Sequence, residues 1–112
     1  MRPVSVGKVL AANTATTLYT VPTGYYAICV HLHVANSTSS NKHISISWYD
    51  TSASLSIPIT FETTISSKTS FDAITSSQYF VMEEGDYITA TSEAGSTMSI
   101  IGTFEVSGAQ RT

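Results

Sequence analysis

The sequence predicts an all-β protein, an antiparallel β-sandwich with a jelly-roll-like arrangement of seven to nine strands. Apolar and polar residues alternate with a period of two in several segments, and no window shows the periodicity of a helix. Turn-forming residues recur at intervals of roughly 8–12 residues, as in sandwiches and jelly rolls. Ser and Thr fill close to a third of the positions, and charged residues only 12%. Since Thr favours strands and Ser favours turns, this composition suits a β-protein with many connections.

The clearest strand prediction covers Tyr25 to Ala35 and follows a tight turn at Pro22-Thr23-Gly24. Pro22 fixes φ at a value suited to the second turn position, and Gly24 tolerates the positive φ that often follows. Strict alternation then places one face of this central strand in the core. The predicted core face holds Ile28, Val30, Leu32 and Val34, and the predicted outer face holds Ala27, Cys29, His31 and His33.

The chain before the central strand is less regular. Met1 to Val6 is predicted to be an N-terminal arm, because Pro3 discourages regular strand pairing. A weak strand is expected within Gly7 to Ala12, and a second strand from Thr16 to Val21 leads into the turn.

A second strongly alternating strand is predicted from His43 to Asp50, after a polar loop from Asn36 to Lys42. We expect it to form a hairpin with the central strand across this loop. Its predicted inward residues are Ile44, Ile46 and Trp48, and its predicted outward residues are His43, Ser45, Ser47 and Tyr49.

The remaining strands are shorter or interrupted. Leu55 to Glu62 alternates, but Pro58 cannot donate a ladder hydrogen bond, so this strand is expected at a sheet edge or a bulge. Gly85 is expected to supply positive φ in the sharp turn at 83–86. Thr63 to Phe71 is predicted to be either a strand or an ordered loop. Further strands are predicted at Gln78 to Met82, Tyr87 to Ser92 and Thr97 to Val106, and Ser107 to Thr112 is predicted to be a flexible tail.

Length and charge narrow the class of protein. The 112 residues predict a single domain, residues 1–112, with a two-layer core. The net charge is −3 and the five basic residues are scattered, which argues against direct binding of nucleic acid. No secretory signal peptide and no membrane span is predicted, so we expect synthesis in a cytoplasm without signal-peptide export. A surface with few charges suits packing against copies of itself or a large partner, or a soluble domain that hydroxyl groups solvate.

No catalytic constellation emerges from the sequence. Nucleophilic catalysis needs a Ser or Cys beside an oriented base, and no serine has the surroundings of a nucleophile elbow. The acidic residues Glu83, Glu84 and Asp86 fit their place in a glycine turn without any acid–base role. Cys29, the single cysteine, cannot form an intrachain disulfide and is expected to act as a small, partly buried hydrophobe. We therefore expect a protein that is not an enzyme.

The histidines and aromatic residues are the remaining candidates for a binding site. His31 and His33 share a strand face, and the expected hairpin would set His43 opposite His33, so the three imidazoles could hold Zn²⁺. Polar residues must also line the outer face of a sheet, and histidine does so without a metal; we expect neither a metal nor another cofactor. An aromatic platform that stacks on sugars is conceivable from Trp48, Tyr49, Tyr25 and Tyr26, although Trp48 shares the apolar face and is expected in the core.

Two motifs carry a resemblance to a known group of proteins. The segments Tyr19-Thr-Val-Pro-Thr-Gly-Tyr25 and Glu84-Gly-Asp-Tyr-Ile88 resemble those of small β-sandwich virion structural proteins of tailed bacteriophages. Ala35-Asn36-Ser37 and the closing segment from Ile100 to Glu105 fit the same outline, so the resemblance covers most of the chain. It implies a sandwich or jelly-roll module on the phage head or tail, without enzymatic activity, cofactors or catalytic residues.

The residues and the resemblance together predict a non-enzymatic capsid decoration or cement protein. It would be a homo-oligomer on the virion surface that binds the major capsid protein or other virion proteins and stabilises the assembled lattice. Two alternatives remain open: a tail, baseplate or fibre-associated structural module, and a carbohydrate-binding module that recognises a host surface.

Overall fold

The protein is an all-β sandwich, as the computed structural model shows for residues 2–108, the side chain of Ser76 excepted. These residues form nine strands and one short 3-10 helix at Ser76–Gln78. The strands are β1 (Arg2–Leu10), β2 (Thr16–Thr20), β3 (Tyr25–Asn36), β4 (Lys42–Asp50), β5 (Leu55–Ile65), β6 (Thr69–Ile74), β7 (Phe80–Met82), β8 (Tyr87–Ser92) and β9 (Met98–Gly108). The predicted fold class is confirmed.

The strands form two antiparallel sheets packed face to face. One sheet has the order β1-β9-β3-β6, with β7 also paired to β3, and the other has the order β2-β8-β4-β5. The chain changes sheet at almost every connection, and among the strands of residues 2–108 only β4 and β5 are both consecutive and paired. This is the connectivity of a jelly roll, in which β6 and β7 share one position beside β3.

The topology overturns the expected hairpin between the central strand and the next strand. β3 pairs with β9, β6 and β7, whereas β4 pairs with β5 and β8 in the opposite sheet. The polar loop therefore crosses between the sheets. Asn36, 1% exposed, anchors the start of this crossing by donating to the carbonyl of Ile65 (3.0 Å) and accepting from the amide of Thr38 (2.9 Å).

Both chain ends differ from the prediction. The predicted N-terminal arm is wrong for residues 2–6, because they belong to β1 and pair in regular register with β9, Pro3 included. Pro3 is tolerated because β1 lies at the edge of its sheet, where one side of the strand needs no ladder partner. The predicted tail is wrong for Ser107 and Gly108, which pair with Tyr26 and Tyr25. Met1 and residues 109–112 of those two predictions lie outside the described residues.

Other elements match the sequence more closely. β8 begins and ends where predicted, and β5 is the edge strand that Pro58 predicts. The segment Thr63 to Phe71, predicted to be a strand or an ordered loop, holds the end of β5 and the start of β6. Gly24 and Gly85 each have a φ of 86°, the left-handed value expected of these turns. No helix among residues 2–108 has the length and hydrophobicity that crossing a bilayer requires.

The core lies between the two sheets, and the residues that β3 contributes to it differ in part from the predicted ones. Leu32 and Val34 are fully buried as expected, but Ile28 and Val30 are only half-buried, and Ala27 and Cys29 fill the core instead. The cause is a β-bulge between Cys29 and His31, where Val30 is an extra residue relative to β9. A bulge reverses the in–out parity of everything on one side of it. The largest buried side chains are Phe104, Leu32, Ile44, Ile46, Met82 and Ile88.

Two further contacts hold the layers in place. Gly102 leaves room for Leu18 and Phe104, because a Cβ atom there would lie 2.8 Å from a side-chain carbon of each.

Asp86, 1% exposed, accepts hydrogen bonds from Trp48 Nε1 (3.2 Å) and from the amides of Thr51 (3.0 Å) and Glu83 (3.0 Å). These bonds satisfy a buried carboxylate and tie β4 to the turn before β8. Trp48 is part-buried and packs on Phe80 from the other sheet, consistent with its predicted inward direction.

The bulge makes a direct prediction about two valines of the same strand. Val34→Ala should lower the free energy of unfolding by about 2–3 kcal/mol, because it removes buried methyl groups and leaves a cavity. Val30→Ala, the matched control, should cost no more than about 1 kcal/mol, since its side chain is half-exposed. Urea denaturation measures both. Equal costs would contradict the bulge and favour uninterrupted alternation.

Candidate functional site

The outer face of the β1-β9-β3-β6 sheet carries a cluster of His31, His33 and Asp72. His31 and His33 point outward from β3, as predicted, because they are two residues apart beyond the bulge at Val30. Asp72 comes from β6, where Ala73 is an extra residue relative to β3. This second bulge moves Asp72 into the position directly opposite His33.

The three side chains converge on one carboxylate oxygen. Asp72 Oδ1 lies 2.6 Å from His33 Nδ1 and 3.0 Å from His31 Nε2. The two imidazole rings are 5.9 Å apart between centroids, on the same side of the sheet. The cluster faces solvent, with side-chain exposures of 44% for His31, 34% for His33 and 48% for Asp72.

The histidines alter the titration of the carboxylate between them. Hydrogen bonds from His33 and, second, from His31 hold the pKa of Asp72 below its usual value. A lowered folded-state pKa means that Asp72 stabilises the fold above the pKa of the unfolded chain. This contribution is lost as the pH falls through the lowered value. Because Asp72 is exposed, solvent screens the interaction and its effect on stability is small.

His43 does not join the other two histidines. It lies at the start of β4 in the opposite sheet, so the three-histidine arrangement that the expected hairpin would produce does not form. Its Nε2 atom lies 3.7 Å from Oε1 of Glu93, and the same oxygen accepts from its amide (3.0 Å). That backbone hydrogen bond is the main reason that the pKa of Glu93 lies below its usual value.

Sequence reasoning missed Asp72, the third member of the cluster. It follows directly after Thr63 to Phe71, in residues 72–77, for which the sequence predicted no element, and its partner strand β3 is far away in sequence. No local signal pairs these segments. The polar alternation of Ser70 and Asp72 around Phe71 was the only hint that the segment is a strand.

A shallow groove is present near the start of β3. Tyr25 and Tyr26 line it, together with Val81, the 83–84 acidic pair, Thr51 and Ser52, and it encloses about 530 Å³ of open space. Glu84 Oε1 accepts a hydrogen bond from the amide of Gly24 (2.9 Å), which joins the two turns below the groove. Trp48 and Tyr49 are not part of the groove lining, so the four aromatic residues considered as a sugar-stacking platform do not share this groove. Tyr49 stacks on Tyr87 of β8 instead, with the ring centroids 4.9 Å apart.

Large apolar side chains are exposed along the edge strand β5. Phe61 is 71% exposed, Leu55 is 56% exposed and Ile57 is 38% exposed. The only charged residue of this strand is Glu62. Such side chains on the free edge of a sheet favour association with another surface.

The single cysteine has a different environment from the one predicted. Cys29 is fully buried in the core rather than on the outer face of β3, because the bulge at Val30 turns it inward. Burial raises the pKa of its thiol to about 12. The thiolate that disulfide chemistry needs is therefore scarce at neutral pH.

Comparison with known proteins identifies the fold. No family model and no curated protein sequence matches the chain. Among solved structures, the protein is similar to a chain from the Bacillus endospore appendages, described as a novel family of disulfide-linked pili. The two share 15% sequence identity with a TM-score of 0.55, over 96% of this chain and 86% of that one. At this identity the likeness establishes a shared β-sandwich fold.

The His–Asp cluster predicts a measurable titration. The Asp72 carboxyl should titrate below its usual pKa of about 3.9, and His33→Gln should raise that pKa more than His31→Gln, since the bond to His33 contributes most. Carbon-detected NMR of the side-chain carboxyl follows the titration. His43→Gln is the control and should leave it unchanged. An Asp72 pKa that stays the same in both cluster variants would refute the interaction.

Proposed function

We propose that the protein is a non-enzymatic structural subunit that associates with copies of itself in a larger assembly. The observation that carries this proposal is the exposure of Leu55, Ile57 and Phe61 on the edge strand β5. An isolated soluble domain gains nothing from keeping three large apolar side chains on a sheet edge, where they invite aggregation. When a partner surface covers these side chains, the burial of their apolar area contributes favourable free energy of binding.

The form of β5 favours side-chain packing over the addition of a strand. Pro58 lacks an amide hydrogen, and the register with β4 shifts twice, between Ile44 and Ile46 and again between Ile46 and Ser47. Such irregularities prevent open-ended pairing of backbones. The contact is therefore expected between apolar side chains at a defined surface, with a defined stoichiometry.

Electrostatics and shape are consistent with repeated association. A net charge of −3 over 112 residues produces little repulsion between copies. The sandwich is elongated, with extents of 52 × 25 × 21 Å, so opposite ends of one copy reach well-separated neighbours. Weak contacts repeated in a symmetric assembly gain avidity that a single pair lacks.

The resemblance to phage virion proteins supports a finer form of the proposal. In that form, the protein decorates the capsid surface and cements neighbouring capsid subunits; a tail, baseplate or fibre-associated position is the alternative. The similar solved structure belongs to a pilus and supports assembly in general rather than a capsid in particular. Particles that lack the protein should still form but rupture at a lower temperature. Normal rupture with lost host attachment would favour the tail.

A second candidate function rests on the groove between Tyr25 and Tyr26. Aromatic side chains beside acidic and hydroxyl groups are the usual elements of sugar recognition, so a carbohydrate-binding role is the competing proposal. A glycan-array screen separates the two. Specific glycan binding by a chain that stays monomeric at high concentration would replace the assembly proposal with the carbohydrate one.

Substitutions in β5 test the assembly surface. Leu55→Ser combined with Phe61→Ser should weaken self-association roughly tenfold or more, because the variant loses apolar contact area without losing any core residue. Light scattering after size-exclusion chromatography, over a range of concentrations, gives the association constant. Ile101→Ser is the matched control: Ile101 is 50% exposed but lies on the interior strand β9. An equal loss in the control would assign the effect to general surface polarity, and a wild-type chain that stays monomeric would refute self-association.

The environment of Cys29 predicts how copies are held together. The assembly should be unaffected by reductants, because the single cysteine of the sequence is buried and its pKa is raised to about 12. In this respect we expect a difference from the disulfide-linked pili. Ellman's reagent should react with Cys29 only after denaturation. Rapid reaction of the native protein, or oligomers that dissociate in dithiothreitol, would contradict this prediction.

A further inference from the structure

We propose that His31, His33 and Asp72 bind one divalent first-row transition-metal ion, for which Zn²⁺ is the natural probe. The proposal is independent of self-association. It departs from the expectation drawn from the sequence, which considered His31 and His33 together with His43 and expected no metal because polar residues line the outer face of a sheet in any case. The structure replaces the distant His43 with a carboxylate that lies between the other two side chains.

The geometry of the donor atoms suits such an ion. One ligand atom from each of the three residues lies within 4.8 Å of the other two. Bonds of about 2.0–2.2 Å to Zn²⁺ require neighbouring ligand atoms to be roughly 3 Å apart. The separations from Asp72 Oδ1, 2.6 Å and 3.0 Å, are close to that requirement.

The chemistry of the donors selects the class of metal. Two imidazole nitrogens and one carboxylate oxygen suit Zn²⁺ and its neighbours, whereas Ca²⁺ and Mg²⁺ prefer sets made of oxygens. The side chains bring one negative charge from Asp72 and two neutral imidazoles, so binding leaves a local charge of +1.

The backbone holds the donors in place before any ion arrives. His33 and Asp72 are directly paired between β3 and β6, and His31 lies two residues before His33 on the same face of β3. Both strands are hydrogen-bonded within one sheet, and the bulges at Val30 and Ala73 set the direction of the side chains. Donors on paired strands lose less conformational freedom on binding than donors on a loop.

The remaining coordination positions face solvent. A shallow groove beside His31, lined by Val30, Thr75 and Thr103, leaves space for water or for a donor from another molecule. The site therefore has three protein ligands and open positions, unlike a closed structural zinc site. Because its donors are exposed and belong to a sheet that is already formed, the metal is not expected to be required for folding.

Isothermal titration calorimetry of the full-length, tag-free chain with Zn²⁺ tests the site. At pH 7.5 we expect one equivalent to bind with a dissociation constant in the micromolar range. His33→Gln and Asp72→Asn should each weaken binding by at least about tenfold. Replacing a residue that only supports a metal ligand already costs about that much affinity, and these two residues would bind the ion directly. His43→Gln is the matched control and should bind as the wild type does. Unchanged affinity in both cluster variants would overturn the proposal.

NMR of the wild-type chain gives a second readout that does not depend on the folding of any variant. Addition of Zn²⁺ should shift the ring resonances of His31 and His33 together and leave those of His43 in place. No saturable shift up to about 1 mM Zn²⁺, or a shift confined to His43, would overturn the site. Self-association measured with and without Zn²⁺ keeps the two proposals apart, since either can fail while the other holds.

Discussion

The whole structure depends on the apolar contact between the inner faces of two sheets. Leu32, Ile44 and Phe104 are fully buried in that layer, and burial of such side chains is the dominant favourable term in folding. A strand can supply the layer only if its alternation stays in phase with its neighbours. Where the alternation of a strand falls out of phase with its neighbour, a β-bulge with one extra residue restores it. Such bulges lie at Val30 in β3 and at Ala73 in β6.

These bulges connect core packing to the surface chemistry. The bulge at Val30 admits the small side chains of Ala27 and Cys29 opposite Phe104 and Val106, while His31 and His33 still face outward. The bulge at Ala73 then sets Asp72 opposite His33. The geometry of the cluster therefore follows from the register of the two strands, because each bulge turns side chains to a particular face of the sheet.

The edges of the sheets relate the fold to the proposed assembly. The two sheets of a jelly roll have four edges in total. Two of the edge strands, β1 and β5, differ in character. β1 keeps a regular register with β9 and carries Arg2 and Lys8, whereas β5 combines exposed apolar side chains with Pro58 and two register shifts. Charge and irregularity both limit unspecific pairing. Of these two strands, β1 exposes one large apolar side chain, Val9, whereas β5 exposes three. Cys29 is buried, so its thiol is not on the surface where copies would meet.

The sequence by itself determined the class of the fold and most strand positions, because alternation and turn chemistry are local. Gly24, Gly85, the strand Tyr87–Ser92 and the edge position of Pro58 were all predictable from a few neighbouring residues. The side chains of Leu32, Val34, Ile44 and Ile46 face inward as their alternation indicates.

Only the tertiary structure decided which strands pair, that residues 2–6 complete an edge, and that Ala27 and Cys29 replace Ile28 and Val30 in the core. It alone brought Asp72 to His31 and His33 and sent His43 to the other sheet. The physical reason is that pairing and bulges arise from contacts between segments far apart in the chain, where the burial of the whole inner face outweighs the pattern of any one strand.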